Sequence, residues 1–361
     1  MEKKENLVVK IVLPIVCFFF GFALMYGIMY KYPSIVTNTI TRVEKDVSIT
    51  DTGIAESVEK VYDAVVVVTT YRNDKAYASG TGFVYKEDKS FGYILTNYHV
   101  IKGSDKVNIQ LTDGNIVETT VLGYDQDSDI AVLKIPKSSV LSVAQLGDNE
   151  KMRVGDTTFT VGAPVDSIFS WTVTRGILSG KDRLVQGGEN SDVMSVLQTD
   201  AAINNGNSGG PLCNANGEVI GITSMKLVSE AVEGMGFAIK IEDATKVANA
   251  IEKGEKIVHP YIGIAMYDVA DAYYTREYNY LFQKYKITSG VLVYGVTKNS
   301  PADKAGLLKD DVITEVDGEK VSSIGYLKYY LYRHEIGDKV TLTVNRQGSI
   351  KKIIITLTTQ S

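Results

Sequence analysis

Apolar residues recur along this chain in two rhythms, and the change between them divides it. From Ile11 to Tyr30 the run Ile-Val-Leu-Pro-Ile-Val-Cys-Phe-Phe-Phe-Gly-Phe-Ala-Leu-Met-Tyr-Gly-Ile-Met-Tyr is 20 residues long and carries no charge. That length matches a bilayer core as a helix and predicts a single transmembrane anchor. Tyr26, Tyr30 and Tyr32 suit its outer interface. Lys3, Lys4 and Lys10 precede the run and only Lys31 follows closely. This bias predicts a cytoplasmic tail over 1–10, an anchor over 11–30, and everything beyond on the extracytoplasmic side. The rival is a cleaved signal peptide. Against it, the run is long and has no small-x-small cleavage site near its end. Residues 31–54, rich in Thr, Ser and charge, read as a linker.

Beyond the linker the rhythm shortens. Ile54, Val58 and Val61 fall at helical spacing, and Val65-Val66-Val67-Val68-Thr69-Thr70 is a β-branched run that predicts a buried strand. Short apolar runs broken by turns continue to about Ile241; Thr112-Asp113-Gly114-Asn115 and Asn214-Ala215-Asn216-Gly217 are hairpin-type turns. Many short strands with such turns indicate a β-sandwich or barrel. Glu242–Lys253 predicts a closing helix, with Val247, Ala250 and Ile251 on one face and Gly254 as its stop. After a charged hinge, Lys253–His259, strand patterns resume with one helix from about Ser322 that aligns Ile324, Leu327 and Leu331. An insertion, Asp268–Ser289, carries Tyr273, Tyr274, Tyr278, Tyr280 and Tyr285, suited either to a binding surface or to a small local core. The predicted domains are 55–255 and 259–361.

Composition narrows the chemistry. The 361 residues hold 44% hydrophobic and 22% charged positions, ordinary for globular protein, and length alone predicts two or three domains. A net charge of −5 leaves no basic footprint for nucleic acid. Cys17 lies in the apolar run, so it is not expected to pair with Cys213. Three scattered histidines, two distant cysteines and the lack of a Walker-type loop predict no metal, nucleotide or other cofactor.

The candidate chemistry lies in Asn205-Gly206-Asn207-Ser208-Gly209-Gly210-Pro211-Leu212. Glycines around a serine permit a tight turn and let N–H groups point into a site, where they can stabilise an oxyanion. His99 closes the apolar run Tyr93-Ile94-Leu95-Thr96-Asn97-Tyr98, and Asp129 opens Ile130-Ala131-Val132-Leu133-Lys134-Ile135. An aspartate at the mouth of a strand can orient an imidazole and stabilise its charged form. The order His, Asp, Ser is that of the chymotrypsin group.

These three segments, with Gln198-Thr199-Asp200-Ala201-Ala202-Ile203-Asn204 leading into the serine, closely resemble the HtrA (Deg) serine proteases from about Ala55 onward. The resemblance implies a mostly β chain: a chymotrypsin-like double β-barrel of six strands each, then an α+β PDZ domain. It implies His99 as general base, Asp129 as orienting acid, Ser208 as nucleophile, and an oxyanion hole from the N–H groups of Gly206 and Ser208. Asn205 stands where the family often has proline, and Tyr98 where it often has asparagine. Asn207 stands where chymotrypsin-like zymogens place an aspartate, so activation by N-terminal cleavage is not expected.

The same resemblance places Ala202, Thr223, Ser224 and Met225 around a modest apolar pocket, which predicts cleavage after small aliphatic residues. It makes regulatory loops of Tyr71–Ser79, Asp166–Thr172 and Lys181–Asp192. In the C-terminal domain it assigns Tyr261, Ile262, Gly263 and Ile264 to the loop and strand that receive a peptide's C-terminus. The expected protein is a membrane-tethered, extracytoplasmic, ATP-independent homotrimeric endopeptidase acting on misfolded or exported proteins. A chaperone with an idle protease fold, and a signalling protease with one membrane substrate, are the alternatives.

Overall fold

The computed structural model describes residues 7–31, 53–162, 171–186, 193–224 and 234–359. The chain divides into two compact units, Met1–Thr52 and Gly53–Ser361. The first contains α1, Leu7–Lys31, which covers the predicted apolar run and extends past it. Its described side chains run unbroken from Leu13 to Ile28, and its aromatic residues lie exposed, Phe18 to 68% and Phe20 to 70%. Among the described residues no helix is long and apolar enough to cross a membrane. The predicted linker lies almost wholly outside the described residues.

The second unit begins with α2, Ala55–Tyr62, which buries Val61 and leads into a sheet built from β1, Val65–Arg72, β2, Lys75–Glu87, and β3, Phe91–Asn97. One helical turn, α3, Tyr98–Ile101, precedes β4, Lys106–Gln110, β5, Ile116–Glu118, β6, Thr120–Asp125, and β7, Ile130–Pro136. The pairing order is β5-β4-β1-β2-β3-β7-β6, an open path of seven strands. The expected six-stranded closure is therefore not formed in this half. β5 has only three residues, and β6 carries an irregularity between Val121 and Gly123, so neither end strand offers a long ladder for closure. Val66, Val68, Ile94, Ile109 and Leu133 are wholly buried in its core, each contributing roughly 1.5–3 kcal/mol by leaving water.

The following half does close. β8, Thr157–Gly162, β9, Thr172–Gln186, β10, Val193–Thr199, β11, Pro211–Asn214, β12, Val219–Thr223, and β13, Gly236–Lys240, form a barrel in the order β10-β13-β12-β11-β8-β9. Its β8–β9 and β9–β10 ladders are long enough to complete the ring. Helix α4, Ile241–Glu252, buries Ile241, Ala244, Ala248 and Ile251, close to the predicted closing helix.

One predicted loop, and the described part of another, are strands instead. Tyr71–Ser79 is a hairpin whose tip, Asn73-Asp74, takes positive φ at both residues, the twist that a two-residue hairpin requires. Lys181–Gln186 belongs to β9, because Arg183–Gln186 pair with Val193–Val196. Trp171 and Thr172 are described, whereas 163–170 and 187–192 lie outside the described residues.

The C-terminal domain orders β14, Ile264–Asp268, β15, Val291–Val296, β16, Val312–Val316, β18, Lys339–Arg346, and β19, Ser349–Thr356, into one sheet, with the short β17, Glu319–Lys320, on β16. The tyrosine-rich insertion forms α5, Val269–Ala272, and α6, Arg276–Tyr285. Tyr278 and Phe282 are buried there with Leu292 and Val312, while Tyr274 and Tyr280 stay exposed, so the insertion is both a local core and a surface. α7, Pro301–Ala305, is capped by Ser300, and α8, Ile324–Leu331, buries Leu327 and Leu331.

Candidate functional site

The register of two neighbouring strands sets the first half of the site. Asn97, the last residue of β3, pairs with Ile130, the first of β7. Two residues beyond Asn97 stands His99, and one residue before Ile130 stands Asp129, so both lie past the same end of one ladder. Asp129 is only 1% exposed and adopts φ of 56°, a left-handed conformation unusual for a side-chain-bearing residue. It is held there by several contacts. Its Oδ1 accepts the His99 backbone N–H at 2.9 Å, and its Oδ2 meets the ring Nδ1 at 2.7 Å. Its carbonyl accepts from Tyr98 N at 3.0 Å and Asn97 Nδ2 at 3.0 Å. The Ser224 hydroxyl also donates to Oδ2, at 3.3 Å. A carboxylate so placed fixes the imidazole orientation and leaves Nε2 as the basic nitrogen.

Ser208 comes from the other half and is held by its backbone. Thr81 N donates to the Ser208 carbonyl at 2.8 Å, and Thr81 Oγ1 to the Gly206 carbonyl at 2.7 Å. Gly209 N donates to Thr223 O at 2.9 Å, while Thr223 Oγ1 donates to Asn207 O at 2.6 Å and to Gly210 O at 3.1 Å. Gly209 has φ of 86°, and a Cβ there would collide with Thr81 O and Thr96 Oγ1. Gly206 has φ of 100°. The glycines are thus required by backbone conformation at both positions and by close approach at Gly209.

Of the predicted pocket residues, Thr223 and Ser224 are buried, Ala202 is exposed, and Met225 lies outside the described residues. Ser224 reaches Asp129, so it also supports the acid. Sequence reasoning passed over Ile203, which is buried to 8% exposure and sits where a Cβ on Gly236 would lie 2.6 Å from its Cδ1. Its signal is a lone β-branched residue in a polar loop. Thr81 was missed as well; a threonine inside a strand gives no sign of a partner more than a hundred residues away.

At the C-terminal domain, Ile262 is buried and Tyr261 and Ile264 are half-buried. Gly263 has φ of 83°, its carbonyl accepts from Thr297 N at 2.9 Å, and Ser300 packs against its Cα. β14 is an end strand of its sheet, and α8 packs against it. Asp268 Oδ1 accepts from Ile324 N at 2.5 Å, tying the far end of β14 to the start of α8.

A second histidine–carboxylate group forms where the two domains meet. His259 Nε2 is 3.0 Å from Asp125 Oδ1 and 3.5 Å from Asp127 Oδ2. The hydrogen bond with Asp125 raises the imidazole above its usual range, outweighing burial. Burial pushes Asp125 upward, yet bonds from His259 and Ser128 outweigh it and hold the carboxyl below its usual range. These three residues bring ligand-type atoms within 4.8 Å of one another. Their contacts are those of an imidazole engaged with two carboxylates, an ion-pair network.

Comparison with known proteins agrees with this architecture. A family profile for a trypsin-like peptidase domain matches residues 80–222, and one for a PDZ domain matches residues 260–357. The chain is 41% identical over 281 residues to the serine protease Do-like HtrA of Lactobacillus helveticus, covering 76% of this chain and 67% of that one. It is 37% identical over 331 residues to the serine protease Do-like HtrA of Lactococcus lactis subsp. lactis strain IL1403, covering 82% and 81%. Among solved structures, the HtrA-type protease AlgW with decapeptide superposes with a TM-score of 0.65 at 28% identity, over 86% of this chain and 99% of that one. A chymotrypsin-like domain, a PDZ domain behind it and relatives matched along most of their length make this chain a member of the HtrA family of serine endopeptidases.

Proposed function

We propose that His99, Asp129 and Ser208 are the catalytic triad of this endopeptidase. The observation that carries the reading is the double grip of Asp129 on His99, through the ring Nδ1 and the backbone N–H. In this role Nε2 of His99 takes the Ser208 proton as the hydroxyl attacks a peptide carbonyl, and later returns it to the leaving amine. The N–H groups of Gly206 and Ser208 stabilise the tetrahedral oxyanion. Ala202, Thr223, Ser224 and Met225, with Ile203, shape a small apolar pocket that favours Val, Ala or Ile before the scissile bond. An acid so fully engaged with its base weighs against an idle protease fold.

The protease domain spans 55–255 and the PDZ domain 259–361 in this reading. The end strand β14 and the Tyr261–Ile264 segment receive the C-terminus of an unfolded protein by strand addition. The uncharged run 11–30 within α1 anchors the chain, and the lysines before it place tail 1–10 in the cytoplasm and the enzyme outside, with 31–54 as linker. Assembly as a homotrimer through protease domains follows the family resemblance.

The test compares the full chain with Ser208→Ala, using unfolded casein and a fluorophosphonate probe. Cleavage and labelling present in the first and absent in the second support the triad; cleavage surviving in the variant overturns it. Extraction of membranes at alkaline pH tests the anchor, since an anchored chain stays in the pellet.

A further inference from the structure

We propose that His259, as its imidazolium, is a positioning residue that couples the seating of the PDZ domain to the turn carrying Asp129. The proposal rests on the triad reading above.

The segment from Asp125, the last residue of β6, to Asp129, just before β7, is five residues long, and each end holds a histidine. Asp129 faces His99. Asp125, 7% exposed, accepts Ser128 N on Oδ2 at 3.0 Å and His259 Nε2 on Oδ1 at 3.0 Å. Both ends of the turn are thus fixed by side-chain carboxylates, and its last residue, Asp129, sits in a left-handed conformation. Its placement there depends on the contacts of the turn that carries it, the Asp125 bonds among them. Releasing Asp125 removes one of those constraints.

His259 belongs to the hinge, and its ring stacks on Tyr332 with centroids 4.4 Å apart and planes 23° from parallel. Tyr332 caps α8, and its hydroxyl donates to Asp127 Oδ2 at 3.4 Å. α8 itself packs on β10, and Ser323 Oγ donates to Gln186 Oε1 at 3.1 Å. The imidazole therefore stands between the helix that borders the PDZ groove and the turn that supplies the acid.

Charge decides how firmly it holds. One neutral Nε2–H has a single hydrogen to donate, whereas a charged ring attracts Asp125 and Asp127 together. The charged groups facing it are these two carboxylates from the turn and Lys328 from α8, whose Nζ is 3.9 Å from Asp127. Asp243 and Lys246 of α4 and Arg333 line the same cleft. Because the folded-state ionisation of His259 is raised, the clamp is fully present below the ordinary imidazole range and is lost as pH rises through the raised value.

The experiment uses the full chain in detergent micelles and dye-labelled casein across a pH series, for wild type, His259→Ala and His259→Arg. His259→Ala is expected to lower kcat about 5- to 20-fold with KM within about twofold, the pattern of a misplaced catalytic group. Its Ser208 still labels with fluorophosphonate, which separates this result from failure of the triad reading. Wild type is expected to lose kcat on the alkaline side as His259 gives up its proton. His259→Arg, charged throughout, is expected to remove that alkaline loss and keep kcat at neutral pH within about threefold of wild type. A wild-type kcat in His259→Ala overturns the proposal, and so does an alkaline limb unchanged in His259→Arg. If His259→Ala does not fold, the profile of His259→Arg decides alone.

Discussion

The two halves of the protease domain hold their parts of the site by different means. The open seven-stranded half presents His99 and Asp129 through side-chain hydrogen bonds at the end of the β3–β7 ladder. The closed barrel presents Ser208 on a turn with two glycines in the left-handed region, gripped at its main-chain atoms, with Thr81 of the open half contributing. A base must keep a ring oriented while its proton count changes, and a carboxylate does this well. A nucleophile needs a fixed backbone whose N–H groups point one way, and a rigid ring of strands does that better.

This contrast can be broken at graded cost. Ser208→Ala removes the proposed nucleophile and is expected to lower kcat on casein by about 10⁵-fold or more while leaving the fold intact by circular dichroism. Asp129→Asn attacks the side-chain half. It is expected to lower kcat about 10⁴-fold through the wrong imidazole tautomer, with thermal stability changed far less. Gly209→Ala attacks the main-chain half and is expected to behave in the opposite way. Its added methyl meets Thr81 O and Thr96 Oγ1 at a positive φ, so denaturant unfolding should show a loss of about 3 kcal/mol or more together with activity. Thr223→Val is the mildest break. It leaves Asn207 O and Gly210 O without the Thr223 hydroxyl and is expected to cost about 1–2 kcal/mol, with fluorophosphonate labelling slowed. Equal losses of stability in Asp129→Asn and Gly209→Ala would erase the distinction.

What the sequence made legible follows the same division. His99, Asp129 and Ser208 stand inside short segments whose residue types are set by local needs: a strand end, a strand mouth, a glycine turn. Local needs leave local marks. The Asn73-Asp74 hairpin lies in a segment that the family resemblance makes a loop; both residues accept the left-handed region at modest cost. Long-range partners left no mark. Asp125 and His259 are 134 residues apart, and each taken alone is an ordinary polar residue near a turn or hinge. The pocket residues were half legible: Thr223 and Ser224 are buried at the site, but that Ser224 reaches Asp129 depends on how β12 ends against the β6–β7 turn.

The tie from Thr81 to the Ser208 turn joins residues about as far apart as a small domain is long, 125 positions in the case of Gly206. Synthesis runs in one direction, so His99 and Asp129, the proposed base and acid, leave the ribosome well before Ser208 does. A nascent chain of this protein carries an imidazole and a carboxylate but no competent nucleophile until β12 has followed to receive Gly209. The proposed nucleophile is thus positioned only after most of the protease domain has been made, and before β13, α4 and the C-terminal domain follow.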